Sequence, residues 1–229
     1  MKIALIGYGK MGQLLHQIAK ERGHEVMCIV DPLVQCTVHD AECTVMDSDA
    51  FRSADVAIEF TTPATAAENI RKAWEQGVPV VSGTTGWDVH QLKVESLKFI
   101  SEGSSMKVVD ERGKVWLIWK SNFSVGVNVF FELNQRLATL LAEYGQYTPS
   151  ITETHHIHKL DKPSGTAVTL ANGIGRDVPI ESIREGEVAG IHTVVWDSPE
   201  DTITITHSAK SRRGFALGAI LAAERLIED

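Results

Sequence analysis

The chain has 229 residues, 43% of them hydrophobic, and a formal net charge of -8, enough apolar content for one large domain or two small ones with real cores. That charge argues against non-specific binding to nucleic acid or anionic membranes, and no run of about 18 uninterrupted apolar residues suggests a membrane span. Cys28, Cys36 and Cys43 form an odd set without paired-ligand spacing, which speaks against a disulfide framework or a zinc ribbon. The N-terminus opens as a strand rather than as a charged segment followed by an apolar one, so the expectation is a soluble protein of the reducing cytoplasm.

Lys2 to Ile6 is a short apolar run, and Gly7-Tyr8-Gly9-Lys10-Met11-Gly12 then opens a helical pattern through Leu14, Leu15, Ile18 and Ala19. A second apolar run, Glu25 to Val30, ends at Asp31, 19 residues after Gly12. Strand, glycine turn, helix, strand and acid in this order fit a dinucleotide-binding unit. The first Gly permits the tight turn, the second admits a pyrophosphate to the backbone, and the third lets helix pack on strand. The helix N-terminus then holds the phosphates through its N–H groups and dipole. Gly7, Tyr8, Gly9, Lys10, Met11 and Gly12 are therefore candidate cofactor contacts. Asp31 would accept hydrogen bonds from the adenosine ribose and repel a 2′-phosphate, which favours NADH; Lys10 leaves NADPH possible.

The alternation continues with a strand over Val56 to Phe60, a helix over Pro63 to Gln76 and a strand over Val78 to Val81. Ser82-Gly83-Thr84-Thr85-Gly86 follows as a small-residue loop at a strand's carboxyl end, where open parallel sheets place their ligands. Val89 to Ile100 reads as another helix. Lys107 to Val109 and Val115 to Trp119 read as strands around an Asp110 to Lys114 turn. Ser121 to Ser124 interrupts the pattern before a helix with apolar positions Val127, Phe130, Phe131, Leu133 and Leu137. Ser150 to His155 reads as a strand, Thr166 to Ile174 as a helix, Val188 to Trp196 and Thr202 to His207 as antiparallel strands, and Phe215 to Ile227 as a closing helix. The fold class expected is α/β: a Rossmann-type dinucleotide-binding domain, residues 1–121 plus 208–229, with a second α+β domain for substrate and oligomerisation, residues 122–207.

Glu153-Thr154-His155-His156-Ile157-His158-Lys159-Leu160-Asp161-Lys162-Pro163-Ser164-Gly165-Thr166 concentrates proton donors, cations and a helix-opening turn. A core strand would not hold so many imidazoles and ammonium groups, because each needs a partner when buried. Together with the glycine turn, Glu59-Phe60-Thr61-Thr62-Pro63, Gly83-Thr84-Thr85-Gly86 and Asn122-Phe123-Ser124-Val125-Gly126-Val127, this block resembles the dihydrodipicolinate reductases of lysine and diaminopimelate biosynthesis, nearly end to end.

The resemblance implies nicotinamide-dependent reduction of 4-hydroxy-tetrahydrodipicolinate, a cyclic dicarboxylate, to tetrahydrodipicolinate. It implies His155 and Lys159 as the proton donor and its electrostatic partner. His156, Lys159, Ser164, Gly165 and Thr166 would hold the substrate carboxylates, the last three as a helix start with unpaired amides. Thr61, Gly83, Thr84, Thr85 and the stretch Lys120, Ser121, Asn122, Phe123 would contact the cofactor, with Arg212 and Phe215 as weaker candidates. Homotetramers assembled through the middle strands are implied as well; if the two domains hinge near Ser121 and Ser208, where the chain crosses between them, binding both ligands would bring hydride donor and acceptor together.

Three departures from the family pattern stand out. Ile191 replaces an acidic residue before His192, Thr62 stands where some members carry Arg, and Met106 to Trp119 is longer than usual. The competing readings are a zinc site on His155, His156 and His158, a non-catalytic dinucleotide sensor, and a reductase of other imines or amino-acid aldehydes on the same plan.

Overall fold

The computed structural model describes residues 1–34, 41–92, 94, 96–102 and 105–228, and Cys36 lies outside the described residues. Its elements run β1 (Lys2–Ile6), α1 (Lys10–Glu21), β2 (Glu25–Val30), β3 (Glu42–Cys43), α2 (Asp49–Arg52), β4 (Val56–Glu59), α3 (Ala66–Glu75) and β5 (Val80–Ser82). After a 3-10 turn at Val89–Leu92 come β6 (Lys98–Glu102), β7 (Ser105–Val109), β8 (Val115–Lys120), α4 (Val125–Leu141), β9 (Thr148–His155), α5 (Gly165–Ile174), β10 (Ile180–Arg184), β11 (Ile191–Asp197), β12 (Thr202–Ser208) and α6 (Arg213–Glu228). The chain divides into two units, Met1–Phe123 with Phe215–Asp229, and Ser124–Gly214. Among the described residues no helix is long and apolar enough to cross a membrane.

The first unit is built on an eight-stranded sheet in the order β3-β2-β1-β4-β5-β8-β7-β6. Strands β3 to β8 in that order pair in parallel, and β7 and β6 add an antiparallel edge. Helices cover both faces, so the central strands read as continuous apolar runs rather than as alternations. The pleat divides their side chains. Ile3 and Leu5 pack with Leu15, Ile18, Ala219 and Ile220 of α1 and α6, while Ala4 and Ile6 pack with Phe51, Ile70 and Ala73 of α2 and α3. Alanines and Gly218 bring α6 close. A Cβ on Gly218 would lie 1.7 Å from the Phe123 carbonyl oxygen.

The second unit has a four-stranded sheet, β10-β9-β11-β12, with β9 and β10 parallel and β11 antiparallel to both its neighbours. Helices α4 and α5 pack on one face through Phe130, Leu170 and Ile174 against Ile151, Val194 and Trp196. The Asn134 side chain, itself buried, donates to the Leu170 carbonyl at 2.9 Å and ties the two helices together.

Several expectations change. The helix read over 89–100 is a single 3-10 turn followed by β6, with residues 93 and 95 outside the described set. Val89 and Leu92 are spaced for one turn, but Phe99 packs on the core while neighbouring Ile100 is 42% exposed. That is a period of two, and β6 pairs with β7 from Lys98↔Val109 to Glu102↔Ser105. The expected hairpin of β7 and β8 is present and becomes a three-stranded edge. Helix α3 starts at Ala66 because the Thr62 carbonyl first accepts from the Thr65 and Ala66 amides as a turn. The strand expected from Val188 starts at Ile191. Strand β10 was not anticipated, since Ile180 to Arg184 alternates weakly and is mostly polar.

Candidate active site

In the first unit, β2, β1, β4, β5 and β8 run parallel, so the segments after them emerge at one edge. Strand order reverses at β1, and the glycine turn follows it, at the switch point where such sheets take ligands. Gly7 has φ +92°, and a Cβ there would lie 2.2 Å from the Phe60 carbonyl oxygen. A Cβ on Gly12 would lie 2.2 Å from the Gly7 carbonyl oxygen, so only glycine lets α1 approach the turn this closely. Gly9 has open space where a Cβ would sit. It also caps α1 without a side-chain hydrogen bond, and the first turn holds no acid. Residues 7–12 thus fit a dinucleotide pyrophosphate: a glycine turn leads into the start of α1, whose own first turn holds no acid to oppose an anion.

Asp31 stands at the end of β2. Its Oδ2 accepts from the Tyr8 amide at 2.6 Å and its Oδ1 from the Leu33 amide at 2.9 Å. The carboxylate therefore braces the glycine turn, and each oxygen keeps a further lone pair for a ribose hydroxyl.

At the ends of β4 and β5 a fully buried acid organises two loops. Glu59 Oε1 accepts from the Thr61 amide at 3.0 Å, from the Thr61 hydroxyl, and from the Thr84 hydroxyl at 2.8 Å; Oε2 accepts from Ser82 Oγ at 2.5 Å. The Thr61 amide also reaches Thr84 Oγ1 at 2.9 Å. The Thr84 carbonyl receives the indole N–H of both Trp87 and Trp119 at 2.8 Å. Gly83 leaves no room for a Cβ, which would lie 2.2 Å from the Phe60 ring. Thr61, Gly83 and Thr84 therefore form one hydrogen-bonded block, whereas Thr85 is exposed beside it. Lys120 ends β8, and Ser121 and Asn122 follow it at the same edge. Phe123 is buried in the apolar core and tilted against Phe60.

In the second unit the alternation of β9 buries Pro149, Ile151, Glu153 and His155 on one face. Sheet register then assembles a polar cluster at the end of that face. Glu153 lies opposite His192 on β11 and Ser182 on β10, His155 opposite Arg184, and His192 opposite His207 on β12. Glu153 Oε2 pairs with His155 Nδ1, and Oε1 pairs with the Arg184 guanidinium at 3.0 Å. The His155 and His192 rings meet edge to face with centroids 5.0 Å apart. Gly190 lies tight against them, since a Cβ there would be 3.1 Å from His155 Nε2. Ser164 caps α5 by accepting from the Ala167 amide, and its hydroxyl lies 3.3 Å from His192 Nε2.

The charges follow from these contacts. Burial works to raise the Glu153 carboxyl, but the Ser182 hydroxyl, the Arg184 hydrogen bond and the charges of His155 and Arg184 outweigh it and bring it to about 2. His192 is pushed down to about 3, chiefly by burial and then by His155. His155 is also lowered by burial, with Glu153 opposing and Lys159 adding to the shift. His156 is lowered by burial and then by Arg212, whose guanidinium lies 3.2 Å from His156 Nε2. Lys159 pairs with Asp161 at 2.8 Å. Arg184 also donates to the backbone carbonyls of Lys159 at 3.2 Å and Asp161 at 2.5 Å.

The three histidines considered for zinc separate. His158 is exposed and 3.3 Å from Glu187, and His156 engages Arg212. Among the described residues the group with metal-ligand spacing is Glu153, His155 and His192, whose ligand atoms lie within 4.8 Å of one another. The Arg184 cation already occupies the charge environment of Glu153 there.

The family model described as dihydrodipicolinate reductase, N-terminus, matches residues 1–108, and the one described as dihydrodipicolinate reductase, C-terminus, matches residues 126–229. The chain is 40% identical to the 4-hydroxy-tetrahydrodipicolinate reductase of Christiangramia forsetii, over 99% of this chain and 92% of the relative. The chain belongs to the dihydrodipicolinate reductase family. The family's enzyme of the same name from Lawsonia intracellularis is 30% identical, over 100% of this chain and 95% of the relative. A dipicolinate-bound dihydrodipicolinate reductase from Paenisporosarcina shares the fold with a TM-score of 0.72 at 22% identity, covering 100% of this chain and 95% of that one.

Reading this dihydrodipicolinate reductase family member from sequence left four side chains without a role: Glu59, Glu153, Arg184 and His192. Glu153 carried a signal, an acid in phase with the buried positions of β9. Arg184 and His192 carried none, because only strand register brings them to His155 from 29 and 37 positions away.

Proposed function

We infer that this protein reduces 4-hydroxy-tetrahydrodipicolinate to tetrahydrodipicolinate with a reduced nicotinamide cofactor, in lysine and diaminopimelate biosynthesis. Full-length kinship with reductases of that name supports the activity, and the buried His155–Glu153 pair beside the capped start of α5 is the observation that carries the chemistry. The reading of another imine or amino-acid-aldehyde reductase is not favoured, and a bare dinucleotide sensor has no use for that pair.

The net change is loss of the 4-hydroxyl as water and gain of a hydride and a proton. The cofactor, when bound, supplies the hydride to the conjugated ring carbon. Residues 7–12 hold its pyrophosphate and Asp31 its ribose, and the Thr61, Gly83, Thr84 block, with Thr85 and Lys120 to Phe123, supports the nicotinamide end. Electron density that hydride addition drives toward the ring nitrogen is relieved when His155 Nε2 gives its proton to the adjacent carbon. Lys159 supplies positive charge as that electron density builds. The Gly165 and Thr166 amides at the start of α5, with Ser164, His156 and Lys159, hold the two carboxylates.

Asp31 favours NADH over NADPH in this reading, since its carboxylate faces the position a 2′-phosphate would take. A homotetramer assembled through the β11 and β12 face is expected, supported by the exposed Thr202, Thr204 and Thr206 of β12, and a cytoplasmic location suits a biosynthetic enzyme. The decisive assay supplies freshly generated cyclic precursor and follows the absorbance of NADH and of NADPH separately. Oxidation of neither would end this reading.

A further inference from the structure

We propose that Glu153 and Arg184 form a positioning pair for the proton donor: Glu153 holds the proton on His155 Nδ1 so that Nε2 is the delivering atom, and Arg184 fixes that carboxylate and the Lys159 loop with one guanidinium. The proposal rests on the reading of His155 as the acid and deepens it.

The geometry carries each part. Glu153 Oε2 lies against His155 Nδ1 as an ion pair, which favours the proton on Nδ1, and the Nε2 side of the ring turns toward Gly190. After proton delivery from Nε2, the neutral Nδ1–H ring left behind is the tautomer that this carboxylate stabilises. Glu153 is fully buried and could otherwise rotate between His155 and His192, which lies opposite it on β11. Arg184 removes that freedom by pairing with the other oxygen at 3.0 Å, and its own side chain is only 8% exposed. Its Nε donates to the Lys159 carbonyl, Nη2, the nitrogen that faces Glu153, also donates to the Asp161 carbonyl, and Nη1 donates to the Ile183 carbonyl. The same planar group thus sets the imidazole from one side and the loop bearing the ammonium from the other, a bidentate task that lysine cannot perform.

The charges facing His155 make the proposal testable by sign. They are Glu153 on its own strand, Lys159 on the following loop, Arg184 on β10 and His192 on β11, with His207 behind His192. Glu153 stabilises the imidazolium; Lys159 and Arg184 disfavour it. A general acid loses activity as pH rises through its pKa, so removing Glu153 should move the alkaline limb of the kcat profile down, and removing Arg184 should move it up.

The experiment compares wild type, Glu153→Gln, Arg184→Gln and Arg184→Lys in kcat and KM against pH, with 15N imidazole spectra of His155 in the enzyme without substrate. Expected are the Nδ1–H tautomer in wild type, a rise of the Nε2–H tautomer in Glu153→Gln with kcat lowered about a hundredfold, and opposite limb shifts for the two Gln variants. Arg184→Lys should keep the limb but raise substrate KM several-fold through the loosened Lys159 loop. Limbs shifting the same way, or unshifted in folded variants, would overturn the proposal, as would an Nε2–H tautomer in wild type. The spectra stand apart from turnover: an enzyme inactive on this substrate but holding the Nδ1–H tautomer through Glu153 refutes the functional reading and, with it, the delivery role, while the pairing itself survives. Should Glu153→Gln not fold, Glu153→Asp, which withdraws the carboxylate by one methylene, carries the same test.

Discussion

The hydroxyl of Thr84, at the end of one strand, donates at 2.8 Å to the fully buried carboxyl of Glu59 on the neighbouring strand. Because Glu59 also takes the Thr61 amide and hydroxyl and the Ser82 hydroxyl, one side chain holds both loops assigned to the nicotinamide end. Glu59→Gln leaves one acceptor oxygen and turns an amide N–H toward groups that now donate. The expected result is a loss of about 1–3 kcal/mol in unfolding free energy and a several-fold rise in KM for the reduced cofactor. Urea unfolding monitored beside initial rates measures both, and a variant matching wild type in each would show that the network is incidental.

Asp31 serves two purposes in the structure, bracing Tyr8 and Leu33 and presenting its carboxylate at the end of β2. Asp31→Ala is expected to weaken NADH more than NADPH, because it removes a ribose acceptor from the one and a repulsion from the other. Titration of cofactor fluorescence reads each constant directly. Equal losses would withdraw the ribose role and leave only the brace.

His155→Gln removes the transferable proton while keeping a polar side chain at that position. Turnover should fall by roughly two to four orders of magnitude, and NADH affinity should stay near wild type, since the dinucleotide residues lie in the other unit. Steady-state kinetics with a separate binding titration test this. A variant that still turns over at the parental rate removes His155 from catalysis.

His192 is buried and held neutral, its pKa pushed down from 6.5 to about 3. A histidine depressed on folding takes up its proton in the unfolded chain first, so its stabilising effect is complete above about pH 6.5 and is lost as pH falls toward 3. Glu153, lowered from 4.5 to about 2, adds a loss in the same direction below about pH 4.5. Unfolding free energy should therefore rise with pH between 4 and 6.5. His192→Gln should flatten that slope by about one proton, roughly 1.4 kcal/mol per pH unit. Denaturant melts at several pH values measure the slope, and an unchanged slope would mean that His192 titrates normally in the fold.

Local chemistry made much of this molecule legible in advance. Gly7 and Gly12 belong to a turn whose backbone cannot accept a Cβ, and such a requirement is written directly in residue type. The apolar runs of β1, β2 and β4 and the seryl caps of α4 and α5 are local in the same sense. Residues 89–100 misled because two apolar spacings overlap there, and pairing with β7 settled the matter in favour of a strand. A short apolar segment cannot choose between helix and strand until a neighbour offers it hydrogen bonds.

The amino-acid order alone determined the glycine turn, the acid after the second strand and the block from Glu153 to Thr166, because each is a property of consecutive residues. Only the tertiary structure decided that Glu153, Arg184 and His192 surround His155, and that Glu59 binds two loops into one. Strand register places residues far apart in the chain at one backbone hydrogen-bond spacing, and burial in that shared place, rather than the identity of any one residue, gives their charges and protons a fixed address.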